Sequence, residues 1–196
     1  MATIEARPIQ TYSPNDGEIF DQTFYDTATL AAAQLAYPMF GIPVSATNGY
    51  QVTNLPDPGQ MSTGVQFQVQ QIALRIYQNS ANPVVISGSD MQFIFSQLSR
   101  AVLSFEIIGK GTYGEWPVSD FLGLTNLDIQ DAANTSNVAG LNNAIPPFKK
   151  LRYPINLASR VRFGVNLTFY GITALNAALV GIGVKVLLRG VEQRRK

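Results

Sequence analysis

Residues 161–170 read VRFGVNLTFY, and their alternation decides the fold class. Val161, Phe163, Val165, Leu167 and Phe169 fall on one parity. Arg162, Gly164, Asn166, Thr168 and Tyr170 fall on the other. Period two sustained over ten residues marks a strand with one face buried and one face wet. The pattern recurs at 180–188, where Val180, Ile182, Val184, Val186 and Leu188 oppose Gly181, Gly183 and Lys185. It recurs again at 65–77, with a fault. Val65, Phe67 and Val69 give way to Ile72, Leu74 and Ile76. A change of parity inside one strand needs an extra residue, so a β-bulge is expected near Gln70-Gln71.

Weaker signals fill the rest of the chain. Strands are expected at 18–25, 39–44, 84–87 and 100–108. Gly41 and Pro43 suit an edge or bulge in the second of these. The Ala-rich stretch 27–37 (TATLAAAQLAY) predicts one short helix. Ser89 is placed to cap another, running to about Leu98. Gly109-Lys110-Gly111 closes the fourth strand. Residues 45–64 and 113–148 read as long irregular connections, expected at subunit contacts or on the outer surface. Strands do not alternate with long amphipathic helices, which argues against α/β. Eight or so antiparallel strands in one domain spanning 1–196 predict an all-β fold, a single jelly-roll sandwich with one or two short helices. Residues 1–17 read as an extended arm and 189–196 as a basic tail.

Composition narrows the chemistry. The 196 residues contain no His and no Cys. The usual general base, the commonest metal ligand and the thiolate nucleophile are therefore missing, and we expect neither an enzyme nor a cofactor. Glu115-Trp116-Pro117 suggests the edge of a sugar site, but Trp116 reads more simply as a core anchor beside solvated carboxylates. The acidic run Asp16, Glu18, Asp21 and Asp26 lacks the ligand order of a calcium loop. Gly109-Lys110-Gly111-Thr112 lacks the earlier glycine and the following helix of a phosphate loop. Glu5 and Pro8 interrupt any apolar run of a signal peptide.

Charge is sorted along the chain. Residues 1–148 carry 4 basic and 12 acidic side chains, and residues 149–196 carry 10 basic and 1 acidic. Such asymmetry points to an anionic partner or to complementary contacts between copies. The candidate contact residues are Lys149, Lys150, Arg152, Arg189, Arg194, Arg195 and Lys196. They suit phosphate-backbone or lipid-headgroup attraction, with no motif for reading bases. Asn and Gln together number 27. These neutral amides hydrogen-bond without the desolvation cost of a charge, which suits surfaces buried between subunits.

Three stretches in order resemble one family. They are an Ala-rich segment leading into YPMFGIPV (37–44), then TNLPDPGQMSTGVQFQVQQIALRIY (53–77), then KKLRYPINLASRVRFGVNLTF (149–169). Together they resemble the single jelly-roll capsid proteins of tailless bacteriophages, several of which enclose an internal membrane. The resemblance spans roughly 28–170. It implies a capsid subunit of the virion, a major capsid protein first and a vertex protein second. It also implies trimeric or hexameric capsomers made with itself and other capsid proteins. Internal membrane lipid or genome backbone would be reached through the basic C-terminal segment, with no small-molecule substrate. The rival from another class is a carbohydrate-binding β-sandwich, a spike or lectin module.

Overall fold

The computed structural model describes residues 17–41, 52–78, 93–94, 96–121 and 148–194. Eight strands account for most of them. They are β1 (Glu18–Thr29), β2 (Ala36–Met39), β3 (Val65–Gln78), β4 (Ala101–Ile107), β5 (Gly111–Pro117), β6 (Lys149–Leu157), β7 (Phe163–Phe169) and β8 (Ile182–Arg194). Strand β7 behaves as its alternation requires. Phe163, Val165, Leu167 and Phe169 are buried, while Gly164, Asn166 and Thr168 are half-buried. Short 3₁₀ turns occupy Val118–Asp120 and Ala177–Leu179.

The strands form two antiparallel sheets. One has the order β1-β8-β3-β6, the other β2-β7-β4-β5. We call them sheets A and B. A single buried cluster draws Phe24, Phe67, Ile72 and Val186 from sheet A and Phe105, Phe163, Leu167 and Tyr37 from sheet B. The chain is therefore an all-β sandwich. Its pairing is nested: β1 with β8, β2 with β7, β3 with β6, β4 with β5. Only the β4–β5 link is a local hairpin. Gly109 and Gly111, both at positive φ, shape its turn.

The bulge in β3 is present. Register against both β6 and β8 shifts between Val69 and Gln71. The extra residue carries the backbone of β3 against Gly190 of β8. A Cβ built on Gly190 would lie 1.8 Å from the Gln68 carbonyl oxygen. No residue with a side chain fits there unless the ladder moves.

Several expectations are corrected. The stretch 27–37 is not helical: β1 continues to Thr29 and β2 begins at Ala36. Pairing with β8 outweighs the helix propensity of alanine, and exposed Ala31, Ala32 and Ala33 offer no apolar face to pack. The Tyr37 hydroxyl holds this link, accepting from the Ala31 N–H at 2.8 Å and lying 2.7 Å from the Gln34 carbonyl. The strand expected at 39–44 lies earlier and stops at Phe40, which adopts φ 65°. Residues 113–117, expected to be irregular, belong to β5, which begins at Gly111. Residues 189–194, expected as a tail, are the second half of β8, paired on both sides. The helix expected before Leu98 is present at 93–94 and 96–98, with Ile94 and Leu98 buried. The arm 1–16, the strand 84–87, residues 122–147, Arg195 and Lys196 lie outside the described residues.

The second half of the 45–64 connection is not a surface loop. Thr53, Leu55 and Met61 are buried. The Asn54 amide accepts from the Tyr25 N–H at 2.7 Å and donates to the Thr23 carbonyl at 2.8 Å. Ser159 Oγ accepts from the Gly64 N–H at 3.0 Å. This loop roofs one end of the sandwich. No helix among the described residues is long and apolar enough to cross a membrane.

Asp26 ties the two sheets. It is 5 % exposed on the core side of β1. One carboxylate oxygen accepts from the Thr27 N–H at 2.8 Å and the other from the Phe40 N–H just beyond β2. Burial raises its pKa above 3.8, and the two N–H donors pull it partly back. Below pH 3.8 the group is protonated folded and unfolded alike. As pH rises through the raised folded value, the native state pays to ionise it, and stability falls. Asp26→Asn should abolish that fall in urea denaturation run upward from pH 3.8. It should cost about 1 kcal/mol at acid pH, because the amide keeps one acceptor oxygen where the acid had two.

Phe163 is buried on the core side of sheet B, between two neighbouring rings. Its centroid lies 5.6 Å from Phe40 and 5.7 Å from Phe105. Phe163→Ala should cost about 3–5 kcal/mol in denaturant unfolding, with the β signal in circular dichroism retained where the variant stays folded.

Candidate polyanion-binding face

Residues directly opposite on paired strands share a face, so register shows what the outer side of sheet A presents. One row crosses the sheet as Thr23, Arg189, Gln71 and Lys150. A second row is Thr27, Lys185 and Arg75. Between them lie Tyr25, Leu187 and Ala73. Arg152 stands two residues along β6 from Lys150 and is exposed. Among the described residues, this face bears Arg75, Lys150, Arg152, Lys185 and Arg189 against the single acid Asp21. The four strands of sheet B contain Glu106 and Glu115 and no Lys or Arg. The sandwich thus converts a charge gradient along the chain into a difference between its two sheets.

The geometry sorts five of the seven sequence candidates; Arg195 and Lys196 lie outside the described residues. Lys150, Arg152 and Arg189 come together on the outer face. Lys149 does not join them: it forms an ion pair with Asp120 and lies 5.7 Å from the Phe121 ring. Arg194 is also committed elsewhere. Its Nε donates to Glu192 Oε1 at 2.5 Å, and its guanidinium lies 5.3 Å from the Phe20 ring. The Glu192 hydrogen bond raises the Arg194 pKa.

Arg75 and Lys185 were missed. Neither belongs to a cluster in sequence. Each is a lone cation at an outward position of a strand, and only the β3–β8 register brings them side by side. Like charges directly opposite on a ladder repel. Burial and then the Arg75 charge push the Lys185 pKa down. The Lys185 ammonium lies 4.5 Å from the Tyr25 ring centroid. In the same row, the Thr27 hydroxyl is buried with no hydrogen-bond partner among the described residues.

The two basic rows are four residues apart along β8, about 13 Å at strand rise. Such a flat patch can neutralise phosphates or other anionic groups through charge, without reading their identity. Trp116, the other candidate, is partly buried and packs against the core. Its ring lies over Gly114, where an added Cβ would meet it at 2.4 Å. Glu115 beside it is exposed.

No known protein family, curated protein or solved structure matches the chain.

The face makes a direct prediction. Lys150→Glu with Arg189→Glu should leave the melting temperature nearly unchanged, since both side chains are exposed and surface changes usually stay within about 0.5 kcal/mol. The double variant should elute from heparin at lower salt, its logarithmic salt slope reduced by about 2. Lys149→Glu is the comparison that leaves the outer face intact.

Proposed function

We propose that the chain is a structural subunit of a virion shell, a single jelly roll that assembles with copies of itself. The observation that carries this reading is the nested pairing of all eight strands. Such pairing is the order that one long hairpin rolled over would give, and it supports a reading as two interlocked Greek keys. Eight strands in two Greek keys are the architecture of viral capsid and lectin domains.

Fold alone does not assign function, so the chemistry must agree. The chain has no His or Cys for catalysis. Its charge separates into a basic outer face on sheet A and a sheet B without cations. The three stretches that resemble phage capsid proteins become β2, the roofing loop with β3, and β6 with β7. The lectin reading loses its main support, because Trp116 is held in packing rather than offered to a ring.

In a shell, the basic face of sheet A meets an anionic surface: headgroups of an enclosed membrane, genome backbone, or an acidic neighbour. Each basic residue near an anionic membrane contributes about 1 kcal/mol, fading beyond a Debye length.

Purified protein should run in size-exclusion light scattering as capsomer-sized or larger particles, visible as closed or sheet-like assemblies by electron microscopy. A monomer at every concentration and salt tested would overturn the shell reading. Flotation with anionic vesicles, nucleic-acid binding and self-association, each at low and high salt, separate the three anionic partners.

A further inference from the structure

A cavity of about 580 Å³ opens at one end of the sandwich, between β1, the ends of β3 and β8, and the roofing loop. Its volume falls in the range of small-molecule sites. Most of its lining faces the core side of sheet A; Tyr25, whose ring carries Lys185 on the outer face, also borders it.

Glu192 is the unusual group in its wall. In register it stands opposite Phe20 on β1 and Phe67 on β3, so it points to the core side of the sheet. It is 2 % exposed. A carboxylate in that position is costly unless compensated. Arg194, two residues on, supplies one partner through Oε1 at 2.5 Å. Arg194 reaches in from the rim, with its side chain 58 % exposed.

Two primary amides complete the polar lining. Gln22 projects from β1 and Gln60 from the roofing loop. Neither side chain has a hydrogen-bond partner among the described residues. The other polar groups of the lining are engaged: Asn54 holds the backbone of β1, and Ser62 donates to Asp57. Phe24 and Met61 provide apolar wall. The loop that carries Gln60 is anchored by buried Leu55 and Met61, so the site is built before any ligand arrives.

The balance of these groups selects a ligand class. Glu192 and Arg194 are the charged side chains of the lining, and they cancel. A cationic ligand would compete with Arg194 for the carboxylate. An anionic ligand would face the carboxylate itself. Each amide brings both donors and an acceptor, and the carboxylate only accepts. The matching ligand is neutral, compact, rich in hydroxyls that both donate and accept, and apolar on one side. We infer that this cavity is a binding site for a neutral saccharide, with Glu192, Gln22 and Gln60 reading its hydroxyls and Phe24 and Met61 lying against its C–H face.

The test uses the full chain in ligand-observed saturation-transfer NMR. Probes are glucose, galactose, mannose and N-acetylglucosamine, with sialic acid and glucosamine as charged comparators. At least one neutral sugar should receive saturation, and both charged probes should receive less. Gln60→Ala and Gln22→Ala should each weaken binding by about fivefold, the loss of one ordinary hydrogen bond. Glu192→Gln should weaken it further. If that variant fails to fold, the two glutamine variants decide. No saturation of any neutral sugar overturns the inference, as does binding that survives both glutamine substitutions unchanged. Stronger binding of a charged probe also overturns it.

Discussion

Strand β8 is the element on which the rest of the sandwich depends. It is bonded along its length to β1 on one side and β3 on the other. Its partner β1 comes from the opposite end of the chain, with Glu18 opposite Arg194. Sheet A therefore cannot close until the last strand is available. The nested order gives each successive pair a longer loop to close, from the β4–β5 hairpin outward to β1–β8. Loop-closure entropy rises only slowly with length, so stability tolerates this order. Folding rate does not, because non-local pairing must be reached before it is rewarded.

The same placement explains the charge. Six of the ten cations in 149–196 lie on β6 or β8 as Lys149, Lys150, Arg152, Lys185, Arg189 and Arg194, and both strands belong to sheet A. Sheet B takes β4 and β5 from the acidic part of the chain and β7 from a segment without charge. A central strand has no edge on which to hide a long charged side chain, so its outward residues must all stand on the face. Leu187 and Ala73 are nonetheless buried on that face. The stems of neighbouring Lys and Arg side chains are suited to lie along such residues while their heads stay in water. On this face Arg75 and Lys185 stand in each other's field, a repulsion that an anionic surface laid over them would offset.

Strands β3 and β7 were legible in the sequence because each buries one face over its length, and period two records that directly. The bulge was legible for the same reason, as a phase error between Val69 and Ile72. Strand β5 was not legible: GTYGEWP contains two glycines and a proline, and only Gly114 and Trp116 show an inward parity. The end of β8 was hidden by its residues. Gly190, Glu192 and Gln193 are buried, yet none carries the apolar signal by which buried strands are recognised. Gly190 is there because the β3 bulge leaves no room for a side chain. The basic face was half legible. Clusters in sequence found Lys150, Arg152 and Arg189, whereas Arg75 and Lys185 needed the register that only folding supplies.

Glu192 carries the argument furthest from sequence. A sandwich that needed only stability would put an apolar residue opposite Phe67. Replacing a buried ion pair with well-packed apolar residues is often neutral or stabilising, while removing one partner is strongly destabilising. The Glu192–Arg194 pair is therefore weak as a stabiliser and demanding as a constraint. It requires a solvent-reaching arginine on the last turn of pairing in β8, and it requires space beside the carboxylate. The loop roofing that space is fastened by Asn54, Ser159 and two buried apolar side chains, so it does not collapse onto the sheet. A cavity that is held open, lined by a compensated carboxylate and two amides with no partner among the described residues, is the arrangement expected where hydroxyls are to be read. It is not the arrangement that packing alone would produce.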